Sequence, residues 1–309
     1  MTEEPELTRT PSEAAHAPPK HRLPAGIRAM RPRQWIKNVL VFAAPLSAGS
    51  LFHEDVLLKT FLAFFAFCMV SATVYLMNDI KDVEEDRLHP RKRFRPIAAK
   101  ELSVGAAWVL AGITAALGFG IGFWTSTYLG VTLAVYLALQ ILYSMFLKHQ
   151  PIIDLAMVSS GFLLRAVAGG VASQIDLSAW FLLVASFGSL FMVAGKRYSE
   201  MKVLGSDAGT RKSLAAYTVS YLRFVWHLSA AVTLMSYCLW AFENQERGWA
   251  AVPWTVLSIA PLTIGLLQYA MQVDRGNAGE PEDVVLNNRP LQLMAVITVV
   301  LIAVAVFTK

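Results

Sequence analysis

The amino-acid sequence predicts an all-α integral membrane protein with about nine transmembrane helices. Of its 309 residues, 55% are hydrophobic and only 16% are charged, with a mean hydropathy of +0.48, whereas soluble domains carry about 25% charged residues. The apolar stretches are long and continuous, as helices that cross about 30 Å of hydrocarbon must be. Strands of a membrane barrel would instead alternate apolar and polar residues over about ten positions. We therefore predict a helical bundle.

Nine apolar stretches are candidate membrane spans, and they lie at 38–52, 57–77, 104–123, 127–147, 151–173, 179–195, 223–242, 253–272 and 290–307. The first and the sixth are short, so counts of eight and ten stay open beside nine. Residues 1–26 are rich in Pro, Glu, Thr and Ala and lack the apolar run of a cleaved signal peptide. We expect them to form a disordered cytoplasmic tail, followed by a single transmembrane catalytic domain at 27–309.

The distribution of Lys and Arg predicts the orientation of this bundle. If the N terminus is cytoplasmic, nearly all of these residues fall in the tail and the inner loops, the exceptions being Lys59, Arg165, Arg247 and Lys309. Cytoplasmic loops of membrane proteins carry an excess of Lys and Arg. We therefore expect an inner (plasma) membrane protein whose N terminus and functional site face the cytoplasm.

The inner end of the second stretch carries regularly spaced oxygen ligands. If the helix continues inward, Asn78, Asp82 and Asp86 share one face, with Tyr75 one turn above them. Carboxylate and amide oxygens suit magnesium, which protein carboxylates often share with substrate phosphates. This pattern predicts a Mg²⁺ site on Asn78, Asp82 and Asp86, the two aspartates being catalytic. The plainer alternative is an exposed acidic helix end.

Basic residues follow the acidic run directly and recur after the sixth stretch. Lys and Arg bind phosphate oxygens. Acidic residues that bind a metal and basic residues that bind phosphate together predict one site. Some of these bases are also explained by the positive-inside rule or by anionic lipid, and Lys196 with Glu200 by a simple surface pair. The candidate substrate-binding residues are Lys37, Tyr75, Lys92, Arg95, Lys148, Lys196, Arg197, Tyr198 and Glu200.

Arg165 lies in the middle of the fifth stretch, where a charge costs at least a few kcal/mol unless it faces the bundle interior or water. We expect it to face inward. Asp154 is roughly 16 Å away along the helix axis, which is too far for direct pairing. Two roles stay open for Arg165, namely anchoring helix packing and binding an anionic headgroup of the substrate.

The run Asn78-Asp79-x-x-Asp82-x-x-x-Asp86 resembles the first aspartate-rich motif of the UbiA superfamily of membrane prenyltransferases. It falls at the inner end of the second span, where that family places it, and the resemblance extends from about residue 31 to the end of the chain. The resemblance implies a UbiA-like nine-helix bundle with a cytoplasm-facing cavity, and Mg²⁺ as cofactor.

The second motif of that family is replaced in this chain. Typical members carry a DxxxD motif after the sixth span, which binds a second magnesium on a prenyl diphosphate, whereas this chain has Lys196-Arg197-x-x-Glu200. The replacement argues against a prenyl diphosphate donor.

Three further strings, at 31–38, 92–98 and 191–198, resemble a branch of the superfamily whose donor is phosphoribosyl diphosphate. The resemblance implies transfer of a 5-phosphoribosyl group to a long polyprenyl phosphate, such as decaprenyl phosphate, for a cell-wall arabinan precursor. It puts Mg²⁺ on Asn78 and Asp82 with Asp86 near it. It also implies that basic residues contact the phosphates of the donor, and that Lys196 is catalytic. These basic residues are Lys37, Lys92, Arg95, Lys148, Lys196 and Arg197, with Tyr75 beside them.

Two other functions stay open from the sequence alone. One is an aromatic polyprenyltransferase that uses a prenyl diphosphate donor, and the other is a transporter or lipid flippase. Transporters often contain inverted repeats, but the acidic run has no second copy in the other half of the chain. We expect no nucleic-acid partner, and the sequence leaves a homo-oligomer possible.

Overall fold

A computed structural model of the chain describes residues 23–90, 92–148, 150–204, 214–247 and 252–308. The predicted tail therefore lies almost wholly outside the described residues. The α-helices are, in chain order, α1 (Ala25–Ala29), α2 (Ala43–Ser47), α3 (Glu54–Lys81), α4 (Val83–Leu88), α5 (Val104–Thr125), α6 (Thr127–Leu142), α7 (Ile153–Ala172), α8 (Ala179–Leu204), α9 (Val219–Arg247), α10 (Trp254–Leu257), α11 (Ile259–Asp274), α12 (Pro281–Asn287) and α13 (Arg289–Phe307).

Other helical types join these α-helices at several points. Three-ten helices cover Pro32–Phe42, Lys92–Phe94 and Leu214–Ala216. A π-helix covers Tyr143–Leu147 and directly continues α6. We call Tyr143–Leu147 the π turn.

Within the described residues, eight helical stretches are long and apolar enough to cross a membrane. They are α3, α5, α6 with the π turn, α7, α8, α9, α10 with α11, and α13. This confirms the prediction of an all-α, multi-pass membrane fold. The long apolar sequences become helices because a helix satisfies its own backbone hydrogen bonds where water is absent.

The first predicted span, 38–52, differs from the expected α-helix. The chain forms the three-ten helix Pro32–Phe42 followed by α2, and together we call these the first segment. A three-ten helix rises about 2.0 Å per residue against 1.5 Å for an α-helix, so this short segment covers about 30 Å. At its start Arg31 contacts Asp79, and just beyond its end the rings of Phe52 and Phe307 lie 5.1 Å apart. The segment therefore runs from one end of the bundle to the other.

Small residues bring several of these elements into close contact. Gly118 of α5 lies against α3, where a Cβ atom would stand 2.7 Å from Val70. Gly169 of α7 lies against the first segment, and a Cβ atom there would stand 1.9 Å from the carbonyl oxygen of Val41. Membrane helices pack closely at such small residues because lipid gives no hydrophobic drive to associate. The crossing at Gly169 fixes the depth at which the first segment presents Lys37.

Candidate active site

Most of the predicted site residues gather at one end of the bundle, which we call the polar end and define by Asn78, Asp82, Lys148 and Lys196. The acidic motif begins in the last turn of α3, which contains Asn78 and Asp79, and ends in α4. Asp82 lies between α3 and α4 with φ −94° and ψ 15°, so the α-helix is interrupted there. The hydrogen bonds from Asp82 N to the Asn78 carbonyl and from Asp86 N to the Asp82 carbonyl, 2.9 and 2.8 Å long, still keep the four-residue spacing.

Asp79 and Asp86 are both buried and share one cation, Arg95. The Arg95 guanidinium donates to Asp79 Oδ1 at 3.0 Å and to Asp86 Oδ2 at 2.6 Å, and Arg31 also donates to Asp79. A buried carboxylate is tolerated when it is paired in this way. Asp86, predicted as a metal ligand, therefore points into an internal ion-pair cluster, and Arg95, predicted to bind substrate, is held by two carboxylates of the protein.

Asn78 and Asp82 lie towards the π turn instead. Asn78 Oδ1 accepts a hydrogen bond of 2.7 Å from Ser144 Oγ. Asp82 is 29% exposed, and its Oδ1 lies 4.0 Å from Lys148 Nζ. The structure thus brings two of the three predicted metal ligands together with the predicted phosphate ligand Lys148, whereas the Asp86 side chain is paired with Arg95.

The second predicted cluster, on α8, contains residues in different environments. The Arg197 side chain is 4% exposed and binds both oxygens of Asp154, from Nε at 2.9 Å and Nη2 at 3.1 Å. Its Nη1 donates to Glu200 at 3.0 Å. Lys196 is 24% exposed, donates to Glu280 at 3.2 Å and lies 3.8 Å from Glu200. Of Lys196, Arg197 and Glu200, only Lys196 and Glu200 are partly open to solvent. Direct contact of Arg197 with a donor phosphate therefore stays a prediction.

Other predicted residues also have defined surroundings. Tyr198 is fully buried, and its hydroxyl donates to Asp274 Oδ1 at 3.1 Å. Tyr75 lies under the guanidinium of Arg31, 5.1 Å from its ring centre. Lys92 is exposed, with its Nζ 3.9 Å from Asp86 Oδ1. Of Tyr75, Lys92 and Tyr198, only Lys92 presents a charged group to solvent.

Arg165 faces the interior of the bundle, as predicted. Its guanidinium donates to Asn38 Oδ1 at 2.7 Å, to the Gly161 carbonyl at 2.6 Å and to the Tyr136 hydroxyl at 2.7 Å. These partners are neutral and belong to the first segment, α6 and α7. The contacts favour the packing role over the headgroup role.

Asp154 and Ser144 join the site, although neither was among the candidate site residues predicted from the sequence. Asp154 is fully buried and accepts a hydrogen bond of 2.6 Å from the Tyr143 hydroxyl as well as both bonds from Arg197. A carboxylate at the edge of an apolar stretch is itself a signal of function, and that signal was available for Asp154. Ser144 carries no comparable signal, since only the π turn brings it to Asn78.

The backbone just before Asp154 is strained. Ile152 has φ 66° and ψ −50°, and Ile153 N donates to the Pro151 carbonyl at 2.7 Å, which together define a γ-turn of the rare, strained kind. The Tyr217 hydroxyl accepts a hydrogen bond of 2.6 Å from Ile152 N. Burial raises the pKa of Tyr217, so its hydroxyl stays neutral at physiological pH. Such strain is found mostly where the surrounding structure fixes a functional residue.

The side-chain oxygen atoms at the polar end are of the type that binds magnesium. In the described part of the chain, no three Asp, Glu, His or Cys side chains form a group that could hold a metal by themselves. Magnesium, however, uses one or two carboxylates and takes the rest of its oxygen ligands from water and substrate phosphates. Asp82 and Asn78 offer this set. A buried Asp86 oxygen, Oδ1, has no hydrogen-bond partner among the described residues and lies at the same end.

An apolar cavity of about 460 Å³ lies between the first segment, α7, α8, α11 and α13. Its walls are almost entirely apolar and include Leu40, Phe162, Phe181, Leu262, Leu291 and Met294. The first segment and α13 both start near the polar end, where Arg33 pairs with Asp283 at 2.6 Å. A long hydrocarbon chain suits such a cavity, since its walls provide no charge and few hydrogen-bonding groups.

Comparison with known proteins shows where similar sequences and folds occur. The profile of the UbiA prenyltransferase family matches residues 39–289. Decaprenyl-phosphate phosphoribosyltransferase of Corynebacterium glutamicum is 48% identical over 314 residues, which cover 99% of this chain and 94% of that protein. The protein of the same name from Mycobacterium tuberculosis is 47% identical over 294 residues, covering 94% of this chain and 96% of that protein.

Solved structures share the fold at much lower identity. The structure of a UbiA homolog from Archaeoglobus fulgidus bound to GPP and Mg²⁺ aligns with a TM-score of 0.67 at 15% identity, covering 92% of this chain and 99% of that chain. At this identity the likeness concerns the fold alone.

Proposed function

Because this chain belongs to the UbiA prenyltransferase family, we propose that it is a glycosyltransferase that moves a 5-phosphoribosyl group from phosphoribosyl diphosphate to a polyprenyl phosphate such as decaprenyl phosphate. The observation that carries this proposal is the similarity of 47–48% over nearly the whole chain to two proteins named for that activity. The product would be a lipid precursor for cell-wall arabinan.

The two substrates differ in polarity, and the bundle offers each a matching region. The soluble, highly charged donor would bind at the polar end, near Lys92, Lys148 and Lys196. The polyprenyl chain of the acceptor would occupy the apolar cavity, with its phosphate directed to the polar end. Alignment of a membrane-bound and a soluble reactant can supply several kcal/mol of the barrier reduction.

The polar end would also hold the metal. We propose that Asn78 and Asp82 bind Mg²⁺, with Asp86 near it. When bound there, Mg²⁺ would neutralise negative charge on the departing diphosphate, as metal ions do in transfers of this kind. One metal ion fits the replacement of the second acidic motif by Lys196, Arg197 and Glu200.

The chain's own bases would stabilise the same developing charge. In the transfer, the bond from ribose C1 to the diphosphate oxygen breaks and a bond from C1 to a lipid phosphate oxygen forms, so diphosphate leaves with the electron pair. Lys148 and Lys196 would bind the leaving group electrostatically, and stabilisation of this kind usually contributes most to the rate. A phosphate is already ionised near pH 7, with a second pKa of about 6. No protein side chain is therefore required as general base.

The orientation and assembly belong to the same proposal. We place the polar end in the cytoplasm of a plasma-membrane protein, because the chain concentrates its Lys and Arg residues there. Residues 1–26 would form the cytoplasmic tail and 27–309 the catalytic domain. The sequence leaves the oligomeric state open.

The decisive experiment uses purified protein in detergent with decaprenyl phosphate and phosphoribosyl diphosphate labelled in the ribose. We expect label to enter the organic phase with Mg²⁺ and not with a chelator. Absence of transfer by folded protein would contradict the proposed donor, and prenyl diphosphates with aromatic acceptors would be tried next. Movement of label across liposomes without product would instead indicate a transporter.

Two variants test the site assignment in that assay. Asp82→Asn keeps the shape of the side chain but removes its charge, and we expect Mg²⁺-dependent turnover to fall at least about 10-fold; full turnover would disprove the metal assignment. Lys196→Ala should raise the KM for the donor. Lys202→Ala is its matched control, because Lys202 lies on the same helix and points to the carbonyl of Asp274.

A further inference from the structure

The π turn contacts both halves of the polar end. On one side, Ser144 Oγ donates to Asn78 Oδ1 at 2.7 Å, and the Ser144 carbonyl accepts a bond of 2.7 Å from Lys81. On the other side, the Tyr143 hydroxyl donates to Asp154 Oδ1 at 2.6 Å. Two consecutive side chains therefore reach two different helices, α3 and α7.

The form of this turn is unusual. Lys148 N donates to the Tyr143 carbonyl at 3.0 Å, a bond between residues five apart that defines a π-helix. Single π turns are rare and occur frequently at functional sites. Lys148, directly after the turn, lies 4.0 Å from Asp82. The turn thus also sets the position of a predicted phosphate ligand.

The contact with Asp154 continues across the bundle to α8. Asp154 is fully buried and binds Arg197 through both oxygens. Arg197 binds Glu200 at 3.0 Å, and Glu200 lies 3.8 Å from Lys196. A hydrogen-bonded network whose central pair, Asp154 and Arg197, is buried holds its members in one geometry.

We propose that Tyr143, Ser144 and Asp154 are positioning residues for the transfer reaction. Ser144 orients Asn78 on the metal side. Tyr143 and Asp154 orient Arg197, and through it Glu200 beside Lys196, on the donor side. The inference rests on the proposed function for the identity of the donor, and it adds three residues that act through others.

The contact of Ser144 with Asn78 and that of Tyr143 with Asp154 predict two separable defects. Ser144→Ala removes the donor to Asn78, so the Mg²⁺ concentration at half-maximal rate should rise about 10-fold, as for other residues that orient metal ligands. The KM for phosphoribosyl diphosphate at saturating Mg²⁺ should stay within about 2-fold, and Ser144→Thr, which retains the hydroxyl, should restore the Mg²⁺ response. Tyr143→Phe should raise the donor KM about 10-fold, the effect of one hydrogen bond to a charged group, with little change in the Mg²⁺ response.

Two controls and one binding readout complete the experiment. Tyr128 is exposed and lies at the other end of the same helix, so Tyr128→Phe is one control. Ser160→Ala is the other, because it removes a hydroxyl that bonds locally to the Met157 carbonyl. Both should behave as the unchanged protein. Thermal midpoints are also titrated with Mg²⁺ and diphosphate, which support no turnover; Ser144→Ala should need about 10-fold more Mg²⁺ for half of the shift.

The outcomes separate this inference from the proposed function. Suppose that the unchanged protein transfers phosphoribosyl. If Ser144→Ala and Tyr143→Phe each change the Mg²⁺ response and the donor KM in proportion, or if neither variant changes either quantity, the turn has only a structural role and the inference fails. If the unchanged protein makes no product while the diphosphate titration still distinguishes Ser144→Ala from its control, the proposed donor fails and the metal-side positioning stands. If that titration also shows no difference, both fail.

Discussion

Replacing Gly169 with alanine tests how closely the first segment must lie on α7. A Cβ atom at this position would stand 1.9 Å from the Val41 carbonyl oxygen and 2.9 Å from Cδ of Pro45. The obstacle is backbone, which cannot rotate away as a side chain can, so the segment must move by about 1 Å in a closely packed interior. We expect Gly169→Ala to destabilise the protein by roughly 1–3 kcal/mol, the usual effect of overpacking.

The same displacement should impair function. The first segment carries Lys37 and follows Arg31, so its movement shifts groups at the polar end. A misplacement of about 1 Å can reduce catalysis about 100-fold even when the substitution is remote. We therefore expect kcat/KM for phosphoribosyl transfer to fall between about 10-fold and 100-fold.

Thermal unfolding in detergent and the transfer assay measure the two effects. Gly112→Ala is the matched control, because a Cβ atom there meets nothing within 4 Å. Alanine is also the better helix former by about 0.5–1 kcal/mol, so Gly112→Ala should be as stable as the unchanged protein or slightly more so. If Gly169→Ala matched Gly112→Ala in both thermal midpoint and activity, the inferred backbone contact would be refuted.

Three further substitutions follow from the charges and the strain. Arg95→Gln leaves two buried carboxylates short of a cation and should cost roughly 3–5 kcal/mol of stability; a thermal midpoint no lower than that of Lys92→Gln would contradict the ion-pair cluster. Arg165→Leu should lower the thermal midpoint because buried partners lose their hydrogen bonds, while the KM for the donor stays within about 2-fold; a selective rise in KM would restore the headgroup role. Ile152→Gly relieves strain of about 1–3 kcal/mol at φ 66°, so the thermal midpoint should rise, and a fall would show that the turn is unstrained.

The acidic motif shows which features of the site the sequence spacing can predict. Asn78, Asp82 and Asp86 do keep a four-residue spacing through their backbone hydrogen bonds. The spacing could not show that Asp86 turns to Arg95, because that partner comes from a loop whose path depends on tertiary packing. The same limit applies to Arg197, because its partner Asp154 comes from another helix and no local pattern records that pairing.

The first segment shows a second limit. Its apolar composition predicted a membrane crossing, and its contacts do run from the polar end to the opposite end. Composition did not predict a three-ten helix, since hydropathy records which residues prefer lipid and not the rise per residue. Arg165 is the converse case, because the energy of a charge in hydrocarbon predicted its inward direction before any partner was known.

The sequence by itself determined that this chain is a multi-pass helical membrane protein with acids and bases concentrated at one end. These properties depend on the transfer of side chains between water and lipid, which is summed along the chain. Only the tertiary structure decided that Asp79 and Asp86 share Arg95, that Asp154 holds Arg197, and that a π turn brings Ser144 to Asn78. Those pairings depend on how separate helices pack against one another, which no local pattern records.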